Sequence, residues 1–368
     1  MKTVRFLTAL FPFLAAILIT CCTPQSAESV EDKTQPIEIK MVVISMFELG
    51  EPTGDNPGEF QYWVERLPLT ETIPFPQGYA DLKYNSDKGI LGICTGMGIS
   101  RATASIMALG LDERFDLTKA YFMVAGIAGV DPEDASTGSA AWAQWLVDGD
   151  LSHEIDAREI PESWETGYMP LRKKEPYEQP VKNPNEGEVY KLNEGLVQWA
   201  YQLTKDVELV DTEEIKKMRA QYINFPNALK PPKVMIGDQL AASTYWHGKL
   251  LNEWANKWVS YWTEGKGNFV TSAMEDTGSM QALKFLENAG KVDSNRMLVL
   301  RTASNFTMQY EGIDAAQSLS GEKLEGGVGY SAFIPALEAA WRVGSKVVFE
   351  ITNNWDKYKN TLPTSNNP

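Results

Sequence analysis

The chain has 368 residues, 43% of them hydrophobic, which is enough for two average domains or one large α/β unit with a sizeable core. Its 34 basic and 49 acidic side chains give a formal net charge of −15. So acidic a surface repels phosphate backbones, which excludes a general nucleic-acid binder. An anionic ligand would need local hydrogen-bond donors in a pocket.

The N-terminus has the layout of a secretory signal, with a basic start followed by an apolar run over 6–20. As a helix this run spans only about 23 Å, short of a ~30 Å hydrocarbon core. The sequence Leu-Ile-Thr-Cys21 resembles a bacterial lipoprotein box, in which the cysteine is lipidated after cleavage. We expect a lipoprotein-type signal at 1–21 and a flexible tether at 22–36. An ordinary cleaved signal is the alternative.

Beyond the tether, apolar runs alternate with glycine turns and helical patterns. Strands are predicted at 37–47, 90–94, 119–125, 267–274 and 296–302, and helices at 100–110, 245–262, 279–288 and 332–343. The run at 37–47 is continuously apolar, which is typical of a central parallel strand. A glycine turn is predicted at 126–129. This order favours one α/β domain at 37–368, with a central mixed, largely parallel sheet flanked by helices.

The proline-rich and charged stretch at about 160–264 is predicted to be a helical elaboration packed on the sheet, with an independent domain as the alternative. Trp246, Trp254, Trp258 and Trp262 follow helical spacing. This indicates a buried helix face, or alternatively rings that border a ligand pocket.

The chain offers little for metal or nucleophile chemistry. His153 and His247 are the only histidines, and neither lies in a ligand-spaced motif. No Gly-x-Ser-x-Gly elbow stands at a predicted strand end. Cys94 ends an apolar run, so we interpret it as a buried thiol rather than a nucleophile. We therefore predict no metal site and no cofactor.

Polar residues follow four predicted strands, where open α/β sheets bind ligands. The clusters are Ser-Met-Phe-Glu at 45–48, Thr-Gly-Met-Gly at 95–98, Met-Glu-Asp at 274–276 and Ser-Asn at 304–305. The glycines at 96 and 98 let backbone N–H groups approach an anion or a hydroxyl closely. Tight turns also use glycine for steric reasons alone.

Glu275 and Asn305 are the side chains in these clusters best suited to a nucleoside. Glu275 could accept hydrogen bonds from vicinal hydroxyls, or it could be a solvated acid beside Asp276 at a helix N-terminus. Asn305 offers a donor and an acceptor, which suits the N7 and O6 edge of a purine, or it could be a turn residue.

Taken in order, these motifs resemble the purine nucleoside permease family, itself similar to the nucleoside phosphorylases and nucleosidases. The matching segments are Thr-Gly-Met-Gly-Ile-Ser-Arg-Ala-Thr from 95, Ala-Gly-Ile-Ala-Gly from 125, Ser-Ala-Met-Glu-Asp-Thr-Gly from 272 and Arg-Thr-Ala-Ser-Asn from 301. The resemblance covers about 37–351 and implies a nucleoside phosphorylase-like α/β fold.

The resemblance also implies roles for single residues. Met274 and Glu275 match the pair that packs under the ribose and hydrogen-bonds it. Asn305 falls where relatives hold or protonate the base, and Glu48 lies where nucleosidases keep an acid that orients water. The implied substrate-binding residues are Thr95, Gly96, Met97, Gly98, Met274, Glu275, Ser304 and Asn305. The implied catalytic residues are Asn305 and Glu48.

Two departures from the phosphorylase pattern favour water over phosphate as the nucleophile. The loop at 54–58 reads Gly-Asp-Asn-Pro-Gly without an arginine, and Met123 stands where phosphorylases tend to present one. A thioether cannot replace a guanidinium in a phosphate pocket. Arg101 or Arg301 could compensate.

We therefore expect an exported protein, periplasmic or at the cell surface and lipid-anchored, that binds purine nucleosides and hydrolyses them or assists their uptake. One alternative is a non-catalytic component that delivers nucleosides to a separate membrane transporter. The other is a phosphate-dependent purine nucleoside phosphorylase. The resemblance also implies a homo-oligomer, whereas the preferred purine nucleoside stays open.

Overall fold

Strands and helices alternate along the residues that the computed structural model describes, which are 35–179, 181, 187–321 and 332–364. The predicted signal peptide with Cys21, and nearly all of the predicted tether, lie outside these residues. In chain order the strands are β1 (Ile37–Glu38), β2 (Met41–Ser45), β3 (Glu71–Ile73), β4 (Leu82–Asn85), β5 (Ile90–Cys94), β6 (Phe115–Asp116), β7 (Tyr121–Val130), β8 (Ala140–Trp142), β9 (Trp145–Asp148), β10 (Ser152–Glu154), β11 (Tyr168–Pro170), β12 (Val189–Lys191), β13 (Val234–Ile236), β14 (Asp238–Ala241), β15 (Phe269–Ala273) and β16 (Met297–Phe306). The helices are α1 (Gln61–Arg66), α2 (Ile99–Gly110), α3 (Glu194–Thr204), α4 (Glu213–Arg219), α5 (Lys249–Trp262), α6 (Asp276–Asn288), α7 (Ala315–Gly321), α8 (Phe333–Asn353) and α9 (Trp355–Tyr358).

The fold is mixed α/β with a large mixed sheet flanked by helices, as the sequence predicts. The main sheet runs β12-β9-β14-β15-β7-β2-β5-β4-β3, and β16 joins it along β7. The apolar β2 is buried along its whole length and pairs in parallel with both β5 and β7. Helix α8 packs against β7 and β16, and α2 packs against α6. In this core the Cys94 thiol is buried, and burial raises its pKa to about 12.

Strand β7 is longer than predicted, and this extension shapes the sheet. The predicted glycine turn at 126–129 is wrong, because β16 pairs in parallel with β7 from Phe122 to Val130 and keeps the backbone extended. On the other edge of β7, the parallel strand β2 pairs with residues 121–124. The antiparallel strand β15 pairs with residues 129–130 of the same edge. Residues 125–128 therefore lie between the ends of two strands that run toward each other.

The stretch at about 160–264 is more than a helical elaboration. It also contains β11, β12, β13 and β14, and β14 enters the main sheet between β9 and β15. The interpretation of the tryptophans as a buried face is confirmed, since all four belong to one buried cluster with Phe269. Among the described residues, no helix has both the length and the apolar character needed to cross a bilayer.

Candidate active site

The stretch of β7 that pairs with neither β2 nor β15 contains Gly126. A Cβ atom added at Gly126 would lie 2.2 Å from Met46 Cε, 2.6 Å from Arg301 Nη1 and 2.6 Å from Glu59 Oε1. Side chains that follow β2, precede α1 and project from β16 therefore converge over one residue. Only glycine leaves room for them, because any larger side chain would collide with all three.

Arg301 is the positive centre of this site. It is 1% exposed and binds Asp276 through Nε and Nη2, with three N–H···O distances of 2.9–3.1 Å. Nη2 also donates to Glu275 at 2.9 Å, and Nη1 donates to the Ile127 carbonyl at 3.1 Å. A guanidinium has five N–H donors, so these contacts leave one Nη1–H for another acceptor. Arg301 is thus committed to carboxylates, and the expectation that it could hold phosphate loses its basis.

Glu275 and Asp276 lie directly opposite Arg301 at the beginning of α6. Glu275 is 3% exposed and Asp276 is fully buried, so the alternative that Glu275 is a solvated acid at a helix N-terminus is wrong. Glu275 Oε1 accepts a hydrogen bond from the Gly98 N–H at 3.0 Å. Gly98 has a φ of +95°, a conformation that only glycine adopts readily, and this turn directs its N–H to Glu275. Burial raises the pKa of both carboxyl groups, and the charge of Arg301 opposes that rise.

Glu59 is the member of the site that the sequence reasoning missed. It is 4% exposed and accepts hydrogen bonds from the Ile127 N–H at 2.7 Å and the Met46 N–H at 2.9 Å. Burial raises the pKa of Glu59 to about 8, with a further upward contribution from the charge of Glu275 and a lowering one from Arg301. The Glu59 carboxyl therefore keeps its proton to a higher pH than an exposed glutamate does. A glutamate directly ahead of the apolar start of α1 was the one available signal.

Glu48, predicted to orient water, is engaged by its own loop. Its carboxylate accepts hydrogen bonds from the backbone N–H groups of Leu49, Gly58, Phe60 and Gln61. An ionised carboxylate accepts about four hydrogen bonds, so little capacity is left for a ligand. These contacts tie the loop to the beginning of α1. The geometry supports a structural role for Glu48 and does not support the predicted catalytic one.

Asn305 lies farther along β16, beside the second glycine of β7. A Cβ atom added at Gly129 would lie 3.3 Å from Asn305 Nδ2. Gly129 follows Gly126 by three residues, about 10 Å along a strand. Asn305 Nδ2 donates to Tyr245 Oη at 3.0 Å and to the Phe306 carbonyl at 3.1 Å, and Oδ1 accepts from Ser304 Oγ at 2.8 Å. Its amide is therefore fixed in one orientation.

The remaining predicted binding residues differ in burial and in their contacts with the site. Thr95 is buried, and its hydroxyl lies within hydrogen-bond distance of the Ser45 and Gly96 carbonyls. Met97 is 49% exposed and Met274 is half-buried, so both residues are partly accessible to solvent. Gly96 lies against the side chains of Tyr79 and Arg101. Gly98 is the residue of this loop that contacts Glu275 directly.

Comparison with known proteins identifies similar sequences. The family model described as purine nucleoside permease matches residues 38–363. A probable purine nucleoside permease of Schizosaccharomyces pombe is 29% identical over 329 residues, covering 86% of this chain and 90% of that protein. A purine nucleoside permease of Candida albicans is 30% identical over 325 residues, covering 86% and 76%.

Two solved structures are similar at lower identity. The futalosine hydrolase of Helicobacter pylori aligns with a TM-score of 0.49 and 14% identity, over 85% of this chain and 98% of that chain. A 5′-methylthioadenosine/S-adenosylhomocysteine nucleosidase of Neisseria meningitidis aligns with a TM-score of 0.45 and 12% identity, over 84% and 99%. Both scores lie below 0.5, so neither activity transfers to this chain.

Proposed function

The chain belongs to the purine nucleoside permease family, and on that premise we propose that it binds a purine nucleoside beside Gly126 and Gly129 and hydrolyses its N-glycosidic bond. The observation that carries this proposal is the buried group of Glu59, Arg301 and Glu275 beside the stretch of β7 that pairs with neither β2 nor β15. Burying charge is costly, and such groups concentrate where chemistry occurs.

Glu275 would hold the ribose. An ionised carboxylate accepts about four hydrogen bonds. The N–H groups of Gly98 and Arg301, with a longer contact of 3.3 Å from the Met274 N–H, use three of them. One site remains for a ribose hydroxyl. This contact also places the negative charge of Glu275 near the sugar, which becomes positive as the bond breaks.

A water molecule would lie between Glu59 and the remaining Nη1–H of Arg301. The C1′–N9 bond breaks and its electron pair leaves with the purine, while the water oxygen bonds to C1′ and a water proton passes to ionised Glu59. A pKa of about 8 keeps Glu59 close to the working pH, where a general base is most effective. The amide of Asn305 would stabilise the departing base, by about 10²- to 10³-fold on analogy with a single oxyanion donor.

The charge balance favours water over phosphate. Asp276 and Glu275 both pair with the one guanidinium of Arg301, so the acidic groups outnumber the basic one. A phosphate dianion would meet like charge and a guanidinium with one N–H to offer. Phosphate-dependent cleavage is therefore the weaker alternative.

Incubation of the full chain with adenosine or inosine, with and without phosphate, tests the reaction. We expect equal amounts of free base and ribose in both conditions. Release of base only with phosphate would instead mean phosphorolysis, and bound but unchanged nucleoside would mean a carrier.

Glu275→Gln tests the sugar contact, with Glu253→Gln on the exposed side of α5 as the matched control. We expect base release to fall by about 10²-fold or more in Glu275→Gln, because a transition-state contact is lost. Glu253→Gln should behave like the natural chain. Equal activity of the two variants would remove Glu275 from the site.

A non-catalytic nucleoside-binding component of a transport system is the second candidate function. The permease names of the Schizosaccharomyces pombe and Candida albicans relatives favour it. It predicts tight nucleoside binding by the full chain with no release of base over many hours. A separate membrane transporter and a homo-oligomer stay predictions.

We also propose export and lipidation at Cys21, which rest on the leader sequence alone. Growth of a bacterial host with an alkyne-labelled fatty acid should label the natural chain and leave Cys21→Ser unlabelled. A natural chain that is cleaved and released without label would contradict the lipid anchor.

A further inference from the structure

The side-chain amide of Asn305 has one orientation because of what surrounds it. The Phe306 carbonyl, 3.1 Å away, can only accept a hydrogen bond, so the amide nitrogen must face it. Turning the amide over would set Oδ1 against that carbonyl oxygen. The Ser304 hydroxyl meets Oδ1 on the other side at 2.8 Å.

In this orientation Asn305 has little left to offer a purine. One Nδ2–H is committed to the Phe306 carbonyl, and the other is bonded to Tyr245 Oη. Oδ1 has two lone pairs, and Ser304 uses one. A ligand can therefore gain one N–H, by displacing the tyrosine hydroxyl, and one lone pair of Oδ1.

The hydrogen bond between Tyr245 and Asn305 is the one that a ligand can displace. Tyr245 lies between β14 and α5 and is 42% exposed, so water can reach its side chain and replace the hydrogen bond to Asn305. The backbone carbonyl of Phe306 cannot move in this way. Only the contact with Tyr245 is exchangeable.

We propose that the Tyr245 hydroxyl occupies the purine position on Asn305 until the base displaces it, and that the Asn305 amide, held in this orientation, selects 6-aminopurine nucleosides. N7 of the purine takes the N–H that Tyr245 releases, and the 6-amino group donates to Oδ1. This donor and acceptor pair is the one by which asparagine reads adenine. A 6-oxopurine nucleoside presents two acceptors on the same edge, N7 and O6, so one of them would face Oδ1. This overturns the expectation that Asn305 suits an N7 and O6 edge. The inference rests on the proposed function for the location of the base.

Stable 9-methylpurines test the inference without any turnover. Binding of 9-methyladenine, 9-methylhypoxanthine and 7-deaza-9-methyladenine to the full chain is measured by titration calorimetry. We expect 9-methyladenine to bind about tenfold more tightly than either of the others, because each of those leaves one amide group without its partner. In Tyr245→Phe, 9-methyladenine should bind about fivefold more tightly, because a competing hydrogen bond is gone. Tyr201→Phe on α3 is the matched control and should leave binding unchanged.

Different outcomes would contradict the purine selectivity and the proposed hydrolase function. Equal or tighter binding of 9-methylhypoxanthine, or unchanged binding in Tyr245→Phe, would overturn the inference and leave the hydrolase proposal standing. If none of the three purines binds and no nucleoside is cleaved, the base site itself is wrong and the proposed function fails with it.

Discussion

The loop between β2 and α1 carries a glutamate near each end, Glu48 and Glu59. The two ends differ in how many backbone N–H groups donate hydrogen bonds to the glutamate carboxyl group. At the first end, Glu48 receives four backbone N–H groups and stays half-buried. At the other end, Glu59 receives two, is almost fully buried and lies beside Arg301 and Glu275. The well-supplied carboxylate stabilises the loop. Glu59, with only two N–H donors, has a raised pKa and lies beside the stretch of β7 that pairs with neither β2 nor β15.

This difference shows that the position of an acid after a strand does not decide its role. The number of donors that the folded chain provides decides whether the carboxyl group has capacity left for a ligand. The nearest charges decide how easily it takes or gives a proton.

Removing Arg301 should give the largest effect on stability, because Arg301 is the buried positive charge that lies beside Glu59 and has no counterpart beside Glu48. Arg301→Met leaves Glu275 and Asp276 buried without their positive partner, which costs about 3–5 kcal/mol of unfolding free energy. Chemical denaturation measures the loss. Arg66→Met breaks a partly exposed ion pair with Glu338 and should cost at most about 1 kcal/mol. Similar losses in the two variants would mean that Arg301 does not compensate the buried charge of Glu275 and Asp276.

Glu59→Gln should abolish most of the chemistry. We expect base release to fall by about 10²- to 10⁴-fold, the usual contribution of a general base, while the bound nucleoside is retained. Initial rates and equilibrium binding, measured on the same preparation, separate the two effects. Loss of binding with an unchanged rate for the bound nucleoside would assign Glu59 to substrate contact instead.

Glu48→Gln should act on stability and leave chemistry alone. A glutamine side chain has one oxygen acceptor group, so some of the four backbone N–H groups lose their partner, at about 1–3 kcal/mol of unfolding free energy. The melting temperature should fall while the rate of the folded protein stays near the natural value. A folded Glu48→Gln protein without activity would restore Glu48 as the acid that orients water.

Titration of Glu59 should give the smallest effect, with stability and base release changing in opposite directions as pH rises. Burial raises the pKa of Glu59 from 4.5 to about 8, so the folded chain keeps this proton over a range in which the unfolded chain has lost it. The contribution of Glu59 to stability therefore falls as pH rises from about 4.5 to 8, and base release rises over the upper part of that range. Both trends should flatten in Glu59→Gln. Persistence of both would assign the titration to another group.

Much of the fold could be predicted because it depends on local patterns. The apolar run of β2, the glycine turn before α2 and the tryptophan face of α5 each carry their own signal within a few residues. The extended path of β7 through Gly126 and Gly129 could not, since it depends on pairing with β16 more than 170 residues away.

The site divides in the same way. The pairing of Glu275 with the Gly98 loop agrees with the predicted clusters, because both follow strand ends. The role of Glu59 depends on a guanidinium more than 200 residues away in sequence, and its place just ahead of α1 does not by itself reveal that role. The burial of Asp276 likewise follows from Arg301, which the sequence indicates only as a possible phosphate contact and not as the partner of an acid.

A crystal structure of the chain with a slowly cleaved purine nucleoside would test the central claim most directly. It should show a ribose hydroxyl within hydrogen-bond distance of Glu275, the base at Asn305, and a water molecule between Glu59 and Arg301 on the side of C1′ away from the base. A nucleoside bound elsewhere, for instance in the cavity of about 370 Å³ bordered by Asp148 and Thr277, would contradict it.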